Sequence, residues 1–370
     1  MAKAGKLTRR EFLKGAGAAA LGLALSDILP RRALSQAAGC QPYRGIAPTD
    51  WDYSARTVIP RRAEIREHWL DEIKELGADS VEITIPVSRG PDHQVGYPTE
   101  YPPYWEPWDS TVHDEGIKRY VRQAQARGFK VILDIPSFLG SRYPRPQPFD
   151  LDLFYSNLET MALKWAEIAE ELGVEGYCPE GEFAFEASLG LSPSFTRPDG
   201  YVSFHTPRLA AWIKQLIPKV RERYSGKIII QEDPYETPDI DFDGADYIGL
   251  HLHVKEGERY VPGQTVQNWR RYLRNRITAA QQAAQRDNCR VMITEASFGM
   301  IPTNGYTSPD NTVVNEQQQR ELCEAFFQEA WGKTDGIFPW SWGSEPEFRR
   351  SLAVTDRPAE EVVRRYYQGC

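Results

Sequence analysis

No apolar run in this 370-residue chain is long enough to cross a bilayer. The longest candidate, the Ala/Leu/Gly stretch from Gly15 to Leu25, is too short and too weakly apolar. Basic excess is also missing: 44 Lys and Arg stand against 52 Asp and Glu, a formal net charge of −8. That balance argues against nucleic acid, which recruits a basic face. Cysteine is sparse, and none of Cys40, Cys178, Cys289, Cys323 and Cys370 has a neighbour at metal-ligand spacing. The chain holds no Gly-rich phosphate loop and no Gly-x-Ser-x-Gly nucleophile elbow, so phosphoryl transfer and serine hydrolysis have no foothold. Internal repeats and low-complexity linkers are absent after residue 40.

What the chain does have is aromatic surface. Ten Trp and 18 Tyr exceed what a core of Val, Ile and Leu requires, and flat aromatic rings suit sugar stacking as well as core packing. The charge is also unevenly spread. Residues 1–37 carry a net +5, leaving the remainder near −13. Arg9 and Arg10 precede the apolar run, and Ser35 and Ala37 are small residues suited to signal-peptidase cleavage. Residues 1–37 therefore resemble a twin-arginine export signal. The expected destination is periplasmic, cell-surface or extracellular, with no stable membrane insertion once the signal is removed. The Ala-Gly before Cys40 leaves lipoprotein anchoring open as the lesser alternative.

From residue 40 to 370, strand-like apolar runs alternate with amphipathic helices, the pattern of βαβ units. Strands are expected at 43–47, 79–87, 129–136, 173–182, 227–233, 245–253, 290–295 and 336–342. Helices are expected at 60–76, 114–127, 151–172, 207–224, 266–285, 316–331 and 359–367, with at most a helical turn before the sixth strand. Eight strands in this length favour a closed (β/α)8 TIM barrel forming a single catalytic domain over an open doubly wound sheet. Three long loops, 88–113, 136–150 and 183–206, all follow strands and so belong to the face where barrel active sites gather. Cys40 and Cys370 stand at the two ends of the mature chain, which a closed barrel brings together, and they are expected to pair after export.

Two segments carry the chemistry. GYCPEGEF ends at Phe183, and VMITEASFG runs from Val291 to Gly299. Each reads as a buried strand that reaches a glutamate. Two carboxyls meeting at one barrel face are the minimum equipment for glycoside hydrolysis. Glu182 and Glu295 are the candidates, with Glu180 a competitor for the first position because it lies two residues earlier on the same side of the strand. His251 and His253 share a face of the sixth strand. No third ligand stands at useful spacing from them, so no metal and no cofactor is expected. Asp134 and Glu232 end strands three and five, and each suits a structural role as well as a functional one. The aromatic loop from Gly96 to Trp108 offers Trp105 and Trp108 for stacking on sugars or for packing a Pro-rich loop, and Trp51 follows strand one.

At these residues the chain resembles the clan A glycoside hydrolases, and the β-mannanases of family 113 in particular. YCPEGEF is similar to the segment that carries their general acid/base, which the resemblance places on Glu182. ITEASFG is similar to the segment of their nucleophile, which it places on Glu295. DYIGLHLH resembles their strand six and GIFPWSW their strand eight, so Trp340 or Trp342 inherits the aromatic floor of the sugar site. Two departures accompany the likeness. Gly181 stands where many clan members have Asn, and His253 where they have a Tyr that donates to the nucleophile; a His can donate the same bond. The resemblance implies a retaining hydrolase of a β-linked polysaccharide or oligosaccharide, with mannan first and β-glucan or galactan next. A non-catalytic carbohydrate-binding barrel and a transglycosylase using the same carboxylates are the alternatives.

Overall fold

The computed structural model describes residues 40–48, 60–85, 88–89, 95–98, 105–107, 111–135, 150–181, 195–196, 202–203, 207–254, 263–298, 316–343 and 353–370. The expected export signal therefore lies outside the described residues. Eight parallel strands close into a barrel. They are β1 (Tyr43–Pro48), β2 (Ser80–Thr84), β3 (Lys130–Asp134), β4 (Gly176–Cys178), β5 (Lys227–Ile230), β6 (Tyr247–His253), β7 (Arg290–Ser297) and β8 (Gly336–Trp342). Each pairs with its sequence neighbours, and β1 pairs with β8 to complete the ring. Among the described residues seven helices flank it: α1 (Pro60–Leu76), α2 (Thr111–Ala126), α3 (Leu151–Leu172), α4 (Pro207–Arg221), α5 (Gln264–Asp287), α6 (Glu316–Ala330) and α7 (Pro358–Gln368). Among the described residues no helix is long and apolar enough to cross a membrane. Short antiparallel ribbons occur within two of the long loops, Ser88–Arg89 with Val95–Pro98 and Trp105–Pro107, and Phe195–Thr196 with Val202–Ser203.

Local sequence explains the element boundaries. Helix α3 starts because the side chain of Asp150 accepts the Leu153 N–H at 3.0 Å, satisfying an orphan donor of the first turn. It stops at Gly173, whose φ of 59° is cheap only without a Cβ and whose N–H turns back to the Ala169 and Glu170 carbonyls. The fourth strand was expected to begin at that glycine. It begins three residues later, at Gly176, because Gly173 is committed to the cap. In α4 the apolar residues Leu209, Trp212, Ile213, Leu216, Ile217 and Val220 recur at helical spacing and are all buried.

Two cores result from the two faces of the sheet. Between strands and helices lies a large apolar layer that includes Val81, Ile83, Val131, Leu133, Ile293 and Phe298. Inside the barrel, Tyr43, Ile132, Cys178, Ile229, Tyr247, Met292 and Phe338 form a second apolar cluster, each from a different strand. The ring is locked at its seam by Tyr367 of α7. Its buried hydroxyl lies 2.7 Å from the Gly45 carbonyl of β1 and 2.9 Å from the Ile337 carbonyl of β8.

Between β5 and β6 the chain makes turns instead of an α-helix, as the sequence pattern anticipated. Arg276 of α5 holds this connection. Its buried guanidinium pairs with Asp233 and Glu236 and lies 4.4 Å above the Tyr272 ring. Burial pushes the Asp233 carboxyl above its ordinary value, and Arg276 opposes that rise. Cys40 and Cys370 form a disulfide with a Cα separation of 5.6 Å, while Cys178 and Cys323 are buried free thiols and Cys289 is a partly buried one.

Two stability outcomes follow. Arg276→Ala leaves the partly buried carboxylates of Asp233 and Glu236 without their partner and should cost about 3 kcal/mol in denaturant unfolding; a loss below about 1 kcal/mol would show that the turn holds without the ion pair. Cys40→Ser opens a loop of sequence separation 330. It should lower Tm under oxidising conditions, by a few kcal/mol on the chain-entropy account, and leave Tm unchanged under reductant.

Candidate active site

Strand alternation decides what reaches the lumen. Along β6, Tyr247 belongs to the inner layer, while Ile248, Leu250 and Leu252 face the outer core. Gly249, His251 and His253 therefore share the side of Tyr247. Strand β7 begins in step, with Met292 inside and Val291 and Ile293 outside. Continued alternation would send Glu295 outward into the helix layer.

A β-bulge prevents this. The register runs Leu250 with Ile293 and then His251 with Glu295, so Thr294 is an extra residue on β7. Beyond it Ala296 and Phe298 occupy the outer core, while Glu295 lies opposite His251 and Ser297 opposite His253. The bulge needs room on β6. A Cβ at Gly249 would stand 3.0 Å from Thr294 Oγ1 and 3.0 Å from Gln231 Cγ, so glycine is what fits. The strand was expected to end at Glu295; it continues to Ser297.

Glu295 is held between two imidazoles. His251 Nδ1 lies 3.3 Å from its Oε2, and His253 Nε2 lies 3.8 Å from its Oε1. The other ring nitrogen of His253, Nδ1, is 2.8 Å from Ser297 Oγ. Trp340 of β8 meets His253 edge to face, with ring centroids 6.2 Å apart. The side chains of Glu295 and His253 are about one-fifth exposed, at 19% and 22%, whereas His251 is buried at 4%. Their ligand atoms lie within 4.8 Å of one another, close enough for one metal ion. The third ligand that the spacing of the histidines could not supply comes from the neighbouring strand.

Carboxyls line the opposite side. Glu82 of β2, Asp134 of β3 and Glu180 after β4 are all buried. Glu180 Oε1 accepts the Gln231 backbone N–H at 2.8 Å, which ties the end of β4 to β5. The Gln231 amide nitrogen approaches Glu82 Oε1 at 3.5 Å. Burial holds Glu82 well above the ordinary carboxyl range; Asp134 and Glu295 add to the rise, and His251 opposes it. Cys178, beneath Glu82, is also pushed well up, by burial and by Asp134, Glu82 and Glu180, so its thiol is no nucleophile.

The structure brings together Glu295, His251, His253 and Trp340. It takes Trp342 elsewhere, since that residue packs with the outer core and its indole N–H donates to Glu72 of α1 at 3.0 Å. Glu182, Trp51 and Trp108 lie outside the described residues, and Trp105 is described only as backbone in its short ribbon. Sequence reasoning missed Glu82, Gln231 and Ser297. Glu82 had a readable signal: a charged residue between Val81 and Ile83 in an otherwise buried strand.

No protein-family profile and no curated protein matches the sequence. The fold has many counterparts among solved structures. A GH113 β-mannanase from Alicyclobacillus acidocaldarius superposes with a TM-score of 0.62 at 16% identity, over 88% of this chain and 97% of that one. A GH113 β-1,4-mannanase gives 0.61 at 15% identity, over 88% and 98%. An exo-β-1,4-mannosidase from the Opitutaceae bacterium strain TAV5 gives 0.58 at 13%, over 88% and 58%. At these identities the likeness is one of fold.

The upward shift of Glu82 has a measurable consequence. A carboxyl held above its ordinary value of 4.5 keeps its proton longer in the folded chain. Its contribution is therefore most favourable at low pH and is lost as pH rises past that value. Glu82→Gln removes the titration. The Tm difference between variant and wild type should move in the variant's favour from pH 4.5 towards about 7. A flat difference in calorimetry would mean that Glu82 titrates normally.

Proposed function

We propose that this protein is a retaining glycoside hydrolase acting on a β-linked polysaccharide or oligosaccharide, with β-mannan the first candidate and β-glucan or galactan next. The observation that carries the reading is the bulge-directed placement of Glu295 at the barrel mouth, between the imidazoles of His251 and His253. The fold likeness to GH113 β-mannanases supports it, as does the match of ITEASFG and YCPEGEF to the motifs of that family.

In this reading Glu295 attacks the anomeric carbon and forms a glycosyl-enzyme ester. Ring N–H groups of His251 and His253 orient its carboxylate, and the Ser297 hydroxyl fixes the His253 ring. Glu182 protonates the departing oxygen and then deprotonates the incoming water. The commitment of Glu180 to the Gln231 N–H supports Glu182, two residues on, as the acid/base. Trp340 supplies an apolar face beside the reacting sugar. No cofactor takes part. Residues 1–37 act as a twin-arginine signal that exports the protein to the periplasm, the cell surface or the medium. The Cys40–Cys370 disulfide suits an oxidising compartment.

Reducing-sugar release across a panel of mannan, β-glucan and galactan tests the activity, and the anomer first formed, read by NMR, tests retention. Glu295→Gln and Glu182→Gln should each lower kcat by about 10²-fold or more with the fold intact. Azide should restore turnover to Glu182→Gln on substrates with a good leaving group. Wild-type rates in either variant, or binding of glycan with no cleavage, would defeat the proposal.

A further inference from the structure

We propose that His251, His253 and Glu295 form a binding site for a divalent transition-metal ion of the zinc class, and that such an ion shuts the barrel mouth to chemistry. The second clause rests on the role given to Glu295 above; the first does not.

Geometry is the first support. Zinc binds imidazole nitrogen at about 2.0–2.1 Å and carboxylate oxygen at about 2.0–2.2 Å, in tetrahedral array. Those lengths set the separation between neighbouring ligand atoms at about 3.4 Å. The His251 Nδ1–Glu295 Oε2 distance is 3.3 Å and the His253 Nε2–Glu295 Oε1 distance is 3.8 Å. All three ligand atoms lie within 4.8 Å of one another, so a side-chain adjustment of roughly an ångström closes the set. They come from adjacent strands in fixed register, which holds them better than loops would.

The surroundings are the second support. A ligating histidine usually gives its other ring nitrogen to a hydrogen-bond partner, and Ser297 Oγ occupies that position on His253 at 2.8 Å. Asp134 and Glu180 line the same lumen, and carboxyl groups there favour a cation. Two imidazoles and one carboxylate favour zinc, nickel or copper over magnesium and calcium, which prefer oxygen alone. Three protein ligands and the partial exposure of His253 and Glu295 leave the fourth position facing the mouth.

The test uses the purified protein without a polyhistidine tag, stripped with chelator. Equilibrium dialysis with zinc should find one ion per chain. Cobalt(II) in its place should show the strong visible bands of four-coordinate cobalt with no thiolate charge-transfer band. His253→Ala should abolish both signals, and Ser297→Ala should weaken zinc about 10–100-fold. Matching circular dichroism and melting curves show that the variants fold. Zinc retained equally by His253→Ala, a thiolate band pointing to Cys289, or no bound zinc would each overturn the site. On a hydrolysed polysaccharide, zinc should inhibit wild type with the affinity found by dialysis. Zinc binding without any hydrolysis defeats the function above and leaves the site standing; hydrolysis without zinc binding does the reverse.

Discussion

One extra residue in one strand sets the chemistry of this barrel. Side chains on a strand alternate with a period of two, so a shift of one residue exchanges inside for outside. Strand β7 starts with Val291 and Ile293 facing the helices and ends with Ala296 and Phe298 facing them. Only an odd insertion reconciles the two halves, and Thr294 is that insertion. Remove it and Glu295 would lie among Leu, Phe and Trp side chains, where an ionised carboxylate cannot be sustained. Gly249, by lacking a side chain on the facing strand, is the bulge's counterpart.

Around that point the lumen divides its charge. Glu295 meets two imidazoles, while burial, with Asp134 and Glu295 nearby, holds Glu82 well above the ordinary carboxyl range. Carboxyls of the same intrinsic acidity thus meet different surroundings within one lumen. Glu180 is further constrained, because it holds β4 to β5 through the Gln231 N–H. The floor of the site is therefore a polar network in which few members are free to change without disturbing another.

Much of the architecture was legible. Apolar runs with Gly and Pro punctuation located all eight strands and seven helices, and GIFPWSW was placed to the residue. Glu295 and the two histidines were identifiable because polar residues in apolar strands must face something other than the core. The bulge was not legible, since the run MITEAS reads as plain alternation that merely stops. In hindsight the three-residue gap between Ile293 and Ala296 in the outer core is its trace. Trp342 misled for a related reason: alternation from Phe338 and Trp340 puts it inside, yet Glu72 of α1 takes its indole N–H. The metal-capable set was hidden because its third member lies on another strand, a relation that spacing along the chain does not express.

The bond between Cys40 and Cys370 makes the intervening chain a covalent ring. A single cut in any loop of a ring produces a linear molecule with new ends and no loss of material. One cut by a protease in such a connection would yield a circular permutant held by its disulfide. Two cuts are needed to release a fragment. The junction therefore lets the connections between strands and helices lengthen and vary at little risk to the barrel.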